Sequence, residues 1–405
     1  MESLRELYRI GPGPSSSHTL AVRNACLYYL DRYPDADGYL VDLYGSLALT
    51  GRGHMSDSVV EKTFGNRKVE IRFHNEMYGP QPNTMVFHTS ENGREENEMV
   101  IYSTGGGAIA IEGQDNVVDD RVYPQRSLSE IMEFCSENRL NLAEYVYHYE
   151  PDIGSHLQTV LDQMLKTVRA GLKKEGVLPG PLKLEKVAGR IYQKARECED
   201  EQVRKDLTIS AYAYSAMEEN ACGETVVTAP TLGSCGVVSS LVSYYHDKGV
   251  SRRQLTDALA VAGIFGNLVK TNGTISGAVG GCQAEIGTAC CMAAAMCSFL
   301  EGLNSRQIEY AAEVAMEHNL GLTCDPVGGY VQVPCIERNG VAALRALDCM
   351  LYARYIGEVR ENRVSFDMII ETMSYTGHKL AMELRETSLG GLAVLPLGVS
   401  EEKDV

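Results

Sequence analysis

The sequence has no region of concentrated positive charge. Its 405 residues include 37 lysines and arginines against 54 aspartates and glutamates, which gives a formal net charge of −17 at pH 7. Such a surface repels the phosphate backbone of nucleic acids, whose binding depends on lysine and arginine. We therefore exclude nucleic acid as the main partner and expect a small molecule or a second copy of the chain.

A secretory signal and an apolar stretch of membrane-spanning length are also lacking. The first ten residues, MESLRELYRI, carry charges throughout, whereas a signal peptide needs an uninterrupted apolar core. The most apolar segment, Ala289 to Leu300, lies between Glu285 and Glu301 and is short enough to be a buried helix. We expect a cytoplasmic protein that binds no membrane, with most of its 12 cysteines reduced.

Several motifs of nucleotide and metal binding are missing as well. The sequence has no GxxxxGK[ST] loop, and the three glycines at 105–107 lack the GxGxxG frame, so nucleotide binding is not favoured. No two cysteines form the C-x-x-C pair that is usual in zinc sites. No lysine lies in an evident phosphate-binding glycine loop, which counts weakly against pyridoxal phosphate.

Two patterns divide the chain into two predicted domains. Residues 1–150 contain short β-branched or aromatic segments separated by glycine, asparagine and proline, a pattern that favours strands. Residues 151–405 have apolar side chains at three- and four-residue spacing, which favours helices. We predict an α+β fold, with a small α/β domain followed by an all-helical domain, and a polar connecting region at 113–154.

The predicted elements are as follows. The first domain has a helix at 23–33 and strands at 39–44, 69–73, 84–88, 99–103 and 108–112. The second has an amphipathic helix from residue 155 and further helices at 184–198, 203–219, 237–248, 252–271, 282–300, 306–318, 341–355 and 365–385. Ser251 with Gln254, and Asn304 with Gln307, fit capping boxes at two of the helix starts.

Three cysteines stand apart from the others. Cys282, Cys324 and Cys335 lie at loop–helix junctions beside glycine, proline and charged residues. Other cysteines fall inside predicted helices, where packing explains them; these are Cys290, Cys291, Cys297 and Cys349. Three dispersed thiolates suit an iron–sulfur cluster with one iron open to substrate, and three unrelated cysteines are the alternative.

Two polar turns are further candidate sites. The segment GPGPSSSHT (11–19) precedes a helix, where hydroxyls and free backbone N–H groups bind a carboxylate or phosphate, although an ordinary helix cap explains the same pattern. The segment 44–54 ends at His54 among glycines, where an imidazole can transfer protons at neutral pH. A structural role is the more frequent explanation of a lone histidine.

Several segments together resemble the iron–sulfur-dependent bacterial L-serine dehydratases in their single-chain form. They are GPSSSHT (13–19), GSLALTGRGH (45–54), YSTGGG (102–107), VVTAPT (226–231), ISGAVGGCQAEIG (275–287), AMEHNLGLTCDPVGGYVQVPCIERN (315–339) and ETSLGGLAV (386–394). The resemblance covers almost the whole chain, and the block at 315–339 is highly specific.

The resemblance implies the dehydration and deamination of L-serine to pyruvate and ammonia without pyridoxal phosphate. It implies a [4Fe–4S] cluster held by Cys282, Cys324 and Cys335, whose open iron is a Lewis acid. His54 is then the candidate base, and His18 is the second candidate. The predicted substrate-binding residues are Ser15, Ser16, Ser17, His18, Thr19, Asn83, Ser276 and Gly277. The family also implies a homodimer, and we see no regulatory ACT-type module.

The sequence departs from the family pattern in several places. A first-domain insert is short, Gln81 stands where relatives have a histidine, and Gly280 and Gly281 precede Cys282 in place of a more usual Glu-Val-Gly. The last residues, 400–405, contain no cysteine, which puts a cluster contact from the tail in doubt. Gln81 and the residues before Cys282 leave the substrate less certain than the reaction.

Three other functions remain as alternatives. The same chemistry on L-threonine or L-cysteine is the first. An iron–sulfur redox sensor is the second, although it has no need of the SSSHT and GRGH turns. A structural or interaction protein is the third, and it does not explain why three cysteines occupy glycine- and proline-flanked loops.

Overall fold

The computed structural model describes residues 1–91, 93–114, 121–387 and 389–395. The first part of the chain alternates strands and helices in the order β1 (Ile10–Pro12), α1 (Ala21–Arg32), β2 (Gly38–Gly45), α2 (Ser46–Leu49), α3 (Ser56–Phe64), β3 (Val69–His74), β4 (Asn83–Glu91), β5 (Arg94–Gly105) and β6 (Ala108–Ile111). The predicted helix and all five predicted strands of this region are therefore confirmed, with bounds shifted by a few residues.

Five of these strands form one sheet in the order β3-β2-β4-β5-β6. β2 and β3 run parallel, and the other neighbours run antiparallel. Alternate residues of a strand point to opposite faces; Tyr39, Val41 and Leu43 of β2 accordingly join one buried cluster with α1 and α3. One face of the sheet is therefore covered by helices.

The end of β2 directs the chain into the candidate site. Gly45 has a φ of +59°, and a Cβ there would lie 2.6 Å from the carbonyl oxygen of Pro82. Such a conformation and such a close approach favour glycine. The chain turns at Gly45 into α2. Ser46 and the following loop therefore lie just beyond the C-terminal end of β2.

The second part of the chain is built mainly from helices, which confirms the predicted fold class. They are α4 (Leu128–Asn138), α5 (Leu142–Tyr149), α6 (Ile153–Gly171), α7 (Ala188–Glu197), α8 (Glu201–Ala221), α9 (Cys235–Asp247), α10 (Arg252–Asn272), α11 (Gly277–Gly280), α12 (Thr288–Leu300), α13 (Ser305–Glu317), α14 (Cys335–Ile356) and α15 (Phe366–Lys379). Both predicted capping boxes are present, Ser251 with Gln254 and Asn304 with Gln307.

α12 lies in the centre of the helical core. One stretch, Gln283–Leu300, is long and apolar enough to cross a membrane by composition, but 83% of it is buried inside the protein, as in the core helix of a globular domain. Cys290, Cys291 and Cys297 are buried along it. All 12 cysteines are free thiols, and the prediction that these three fill the core is confirmed.

Much of the segment predicted as a connecting region is instead part of the helical core. α4 and α5 lie within it, and Leu128, Ile131 and Val146 join the same buried cluster as α10 and α12. The outer faces of these two short helices are polar, so the average composition of the segment does not reveal their apolar faces. The prediction of a linker there is wrong, while the domain boundary at residue 150 stays a prediction.

One strand, β7 (Thr225–Val227), lies in the part expected to be all-helical. It pairs antiparallel with β1, with Ile10 opposite Val227 and Pro12 opposite Thr225. Just before β1, Leu4 and Leu7 are buried in the helical core. The N-terminal segment therefore connects the sheet-containing part of the molecule to the helical part. It also fixes the position at which the SSSHT turn begins.

Candidate functional site

The SSSHT segment forms a π-helical turn, Ser16–Leu20, that is held by its own hydroxyl groups. Ser15 caps the turn by accepting a hydrogen bond from the backbone N–H of His18 at 3.2 Å. The Ser16 hydroxyl accepts one from the N–H of Leu232 at 2.7 Å, and that of Thr19 donates to the backbone oxygen of His54 at 2.8 Å. Ser16 and Thr19 thus join the turn to the helical core and to the His54 loop.

His18 is fully buried, and both of its ring nitrogens have partners. Nδ1 lies 2.8 Å from the Ser17 hydroxyl and 3.5 Å from a carboxylate oxygen of Glu386. Nε2 lies 2.9 Å from the Thr50 hydroxyl and 3.0 Å from the backbone oxygen of Ser46. Burial lowers the pKa of His18 to about 4. The contacts hold the ring in one orientation, and its burial favours the neutral form.

His54 lies against His18, with a different pattern of partners. The two rings meet edge to face, with centroids 4.4 Å apart. Nδ1 of His54 is buried and has no hydrogen-bond partner among the described residues. Burial, and then the nearby His18, lowers the pKa of His54 well below its ordinary value. The chain therefore holds a neutral imidazole with one nitrogen unused.

The structure brings the three singled-out cysteines to one cavity. Cys282 precedes the π-helical turn Gln283–Gly287, Cys335 is the first residue of α14, and Cys324 lies in the loop after α13. All three line this cavity, and His54 and Ser15 line it too. We refer to it below as the cysteine cavity. Segments that are far apart in the sequence thus meet at this cavity, and each contributes a side chain with an oxygen, nitrogen or sulfur donor atom.

The cysteine cavity is also lined by three carboxyl groups, those of Glu285, Asp325 and Glu386. Glu285 accepts a hydrogen bond from the Thr231 hydroxyl at 2.7 Å, and its other oxygen lies 3.9 Å from Sγ of Cys324. Glu386 accepts one from the Ser17 hydroxyl at 3.3 Å, while its Oε2 is buried without a partner among the described residues. Burial raises the pKa of Glu386 to about 7, and burial together with Glu386 raises that of Glu285 to about 8.

Backbone contacts fix Glu386 beside Cys324. The N–H of Glu386 donates to the backbone oxygen of Cys324 at 2.6 Å, and the N–H of Cys324 donates to that of Leu384 at 2.8 Å. Glu386 has a φ of +59°, which is uncommon for a residue with a side chain. Such a strained backbone conformation persists only where the surrounding contacts outweigh the strain. Residues of this kind are concentrated at functional sites.

One cation, Arg338, balances part of the negative charge. It lies one helical turn after Cys335, and its guanidinium donates to the backbone oxygen of Thr323 at 2.6 Å. Burial raises the pKa of the Cys282 thiol to about 11, and Arg338 opposes that shift. Cys324 and Cys335 also have raised pKa values, because burial and neighbouring acidic groups disfavour their thiolates. A bound metal cation would stabilise the thiolate forms of these three buried cysteines.

The remaining predicted site residues lie at different distances from the cysteine cavity. A Cβ on Gly277 would lie 2.7 Å from Glu285 and 3.2 Å from Sγ of Cys324, so its backbone borders the site. Ser276 is buried beside the Gly105 turn. Asn83 is buried opposite Gly45, with its Oδ1 unpartnered among the described residues.

Gln81, which stands where relatives have a histidine, bears less on the identity of the substrate than the sequence indicated. Gln81 is exposed, and the only hydrogen bond that the structure records for it is accepted by its backbone oxygen, from the hydroxyl of Thr84. It does not line the cysteine cavity. The tail at 400–405, where we noted the missing cysteine, lies outside the described residues.

Sequence reasoning missed Glu285, Glu386 and Arg338 as members of the site. Each lies inside a segment that carried the family resemblance, but a single charged residue within a helix or loop has no spacing that marks it. The signal that could have found them is their position: Glu285 and Arg338 each follow a singled-out cysteine by three residues.

Two chemistries are available to these groups. Three soft sulfur donors converge as for an iron–sulfur cluster in which one iron lacks a cysteine ligand. In addition, one ring nitrogen of His18, one of His54 and an oxygen of Glu386 lie within 4.8 Å of one another, as in a metal site. Because both nitrogens of His18 already have hydrogen-bond partners, we interpret that second group as a proton-handling network beside the sulfur donors.

Comparison with known proteins gives a consistent result over the whole chain. Residues 3–66 match the family model of the serine dehydratase beta chain, and residues 84–393 match that of the serine dehydratase alpha chain. L-serine dehydratase 1 of Escherichia coli K12 is 37% identical, with 97% of this chain and 99% of the relative aligned. The L-serine dehydratases of Haemophilus influenzae and Streptomyces coelicolor are each 35% identical, again with 97% of this chain aligned.

Proposed function

Because the chain belongs to the serine dehydratase family and contains both its alpha-chain and beta-chain regions, we propose that it converts L-serine to pyruvate and ammonia. Loss of the α-proton and the β-hydroxyl gives aminoacrylate and water. Aminoacrylate then tautomerises to an imine, which water hydrolyses to pyruvate and ammonia. The family membership that the motifs predicted is confirmed by the matches to both family models. The identity of the substrate is our proposal.

The observation that carries this proposal is the composition of the cysteine cavity. An unpartnered neutral imidazole, a serine hydroxyl, three carboxyl groups and three thiols line one space. β-Elimination from a hydroxy amino acid needs a base for a weakly acidic C–H bond, groups that orient the substrate, and assistance for a poor leaving group. The cavity offers a candidate for each of these tasks.

His54 is the proposed base. Its Nδ1 has no hydrogen-bond partner among the described residues, and its lowered pKa keeps it neutral near pH 7. In the tautomer that carries its proton on Nε2, Nδ1 can accept the α-proton. His18 is less suited, since hydroxyl groups and a backbone oxygen occupy both of its nitrogens. We assign His18 to the orientation of His54 and of the Glu386 carboxyl group.

The substrate's two charged groups have matching partners in the cavity. The Ser15 hydroxyl and the backbone of the SSSHT turn can donate to the substrate carboxylate. The buried Oε2 of Glu386 can accept from the α-ammonium group, which would give this oxygen the partner that it lacks. Binding at both ends would point the Cα–H bond of serine toward one wall of the cavity.

The three thiols fit an iron–sulfur cofactor by their chemistry. They are free, they meet in one cavity, and Arg338 lies beside Cys282 as a counter-charge. A [4Fe–4S] cluster held by Cys282, Cys324 and Cys335 would supply a Lewis acid for departure of the β-hydroxyl. The chain's own part is to present three sulfur ligands from separate segments and to shield them from solvent.

The homodimer is implied by the family resemblance, whereas the cytoplasmic location is the expectation from the sequence. We propose a homodimer in the cytoplasm, acting on a free amino acid without pyridoxal phosphate.

The proposed function is tested by a substrate panel on anaerobically reconstituted protein. We expect pyruvate from L-serine at the highest kcat/KM, with much less 2-oxobutyrate from L-threonine and much less pyruvate from L-cysteine. A preference for threonine or cysteine would favour the alternative substrates. Undiminished serine dehydration by protein stripped of metal would contradict the cofactor assignment, and no turnover of any of the three would support a redox role.

Gly277 offers a second test, because its backbone lies against the site. In Gly277→Ala the new Cβ would approach Glu285 and Cys324 closer than carbon normally packs. We expect kcat/KM for L-serine to fall about 10- to 100-fold, since a displacement of about 1 Å in a catalytic site can cost that much. Steady-state kinetics measures it.

Gly154→Ala is the matched control for Gly277→Ala. It also places a Cβ on a helical glycine, but the nearest atom lies at an ordinary 3.7 Å, on Tyr147. We expect unchanged kinetics for Gly154→Ala. Equal kinetics for both variants would remove Gly277 from the site.

A further inference from the structure

A second cavity lies away from the cysteine cavity. It has a volume of about 350 Å³ and is enclosed by the end of α13, the middle of α14 and the segment 360–364. The two cavities share no lining residue. A space of this size is within the range of small-molecule sites, and the proposed reaction makes no use of it.

One wall of this cavity carries a buried carboxyl group without a partner. Glu313 of α13 is 2% exposed, and its Oε1 has no hydrogen bond within the described part of the chain. Burial, and then the neighbouring Glu317, raises the pKa of Glu313 to about 8. A buried carboxyl group is costly unless a hydrogen-bond donor or a cation satisfies it. Oε1 of Glu313 is therefore a hydrogen-bond acceptor left free for the ammonium group of a ligand.

The other walls carry cations that are equally without partners. Arg345 of α14 and Arg360 and Arg363 of the adjoining segment line the cavity. Across residues 1–91, 93–114, 121–387 and 389–395, the structure records no ion pair and no side-chain hydrogen bond for these three arginines. Glu317 and Asp348 line the cavity too, but they form no recorded ion pair with these exposed arginines, whose guanidinium groups are therefore available to an anionic group such as a carboxylate.

Aromatic side chains complete the cavity. The rings of Tyr310 and Tyr352 meet edge to face with centroids 6.1 Å apart, and Val314 and Val364 add apolar surface. Together they offer an apolar wall beside the charged ones. Rings in such an arrangement suit an aromatic or branched side chain.

We propose that this cavity binds a free α-amino acid with an apolar side chain. Its ammonium group would contact Glu313, its carboxylate would contact the arginines, and its side chain would pack on Tyr310 and Tyr352. A zwitterion places its two charges on one carbon, so a single ligand satisfies both kinds of unpartnered group. This site is separate from the cysteine cavity and does not depend on the proposed reaction.

Isothermal titration calorimetry on the full chain tests the proposal with L-phenylalanine as the probe. Two analogues each lack one charge: 3-phenylpropanoate lacks the ammonium group, and 2-phenylethylamine lacks the carboxylate. We expect saturable binding of L-phenylalanine and affinities at least about tenfold weaker for both analogues, because a hydrogen bond to a charged group is worth about 1.5–3 kcal/mol. Equal affinities for all three would contradict the zwitterion site.

Variants then locate the binding. Glu313→Gln and Arg345→Met should each weaken L-phenylalanine binding at least about tenfold, as for the loss of one charged contact. Arg306→Met on α13 and Ser15→Ala in the cysteine cavity should leave it unchanged. Arg345 is exposed, so its variant remains informative if Glu313→Gln fails to fold. No binding to the unaltered chain, or binding lost in Ser15→Ala alone, would overturn the proposal.

Discussion

Cys324→Ala is expected to abolish both the cofactor and the turnover of L-serine. The alanine removes one of three sulfur ligands in the cysteine cavity, and among the described residues only Cys282 and Cys335 line that cavity with further thiols. A Lewis acid in such a reaction is worth several kcal/mol, so we expect kcat/KM to fall at least about 1,000-fold. Iron and sulfide content, visible absorption and pyruvate formation under anaerobic conditions measure the two losses.

Cys135→Ala is the matched control for that change. Cys135 is also a buried free thiol, but it lies on α4 in the helical core and does not line the cysteine cavity. Its replacement should leave iron content and turnover close to those of the unaltered protein. If Cys324→Ala kept its full iron content and activity, the assignment of the three cysteines would be wrong.

His54→Gln is expected to remove most of the catalytic rate while leaving the cofactor in place. The glutamine keeps a polar side chain of similar length but cannot accept and release the α-proton as an imidazole does. Loss of a general base typically costs about 100- to 10,000-fold in rate. We expect that loss in kcat, with little change in KM and in iron content, because His54 is not among the proposed ligands.

Two further variants separate the candidate bases. His74→Gln replaces a histidine of β3 that pairs with Asp42, outside the cysteine cavity, and should leave turnover unchanged. His18→Gln should reduce kcat less than His54→Gln, since we assign His18 an orienting role. If His18→Gln were inactive and His54→Gln were normal, the two assignments would have to be exchanged.

The sequence predicted those parts of the fold that have a clear local pattern. The strands β2 to β6 are short β-branched or aromatic segments bounded by turn residues, and the helices from α6 onward have regular apolar spacing. α4 and α5 were missed, because helices of 11 and 8 residues leave few periods to recognise. β7 has three residues and is held by its pairing with β1, which no local pattern reveals.

The site divides in the same way. The three cysteines, His54 and Ser15 could be singled out, because glycine and proline surround them and they differ in type from their neighbours. Glu386 and Arg338 could not, since what distinguishes them is their spatial relation to Cys324 and Cys282. Burial, which lowers the pKa values of His18 and His54, is likewise a property of the assembled fold.

The pairing of β1 with β7 has a consequence for the order in which the molecule can form. Residues that precede β1, including Leu4 and Leu7, find their partners in helices that the ribosome makes much later. The sheet of β2 to β6 uses close neighbours along the chain and can assemble early, whereas contacts of long sequence separation form slowly. The SSSHT turn, which follows β1, can therefore reach its final position only after β7 has been synthesised, so the catalytic cavity is completed late.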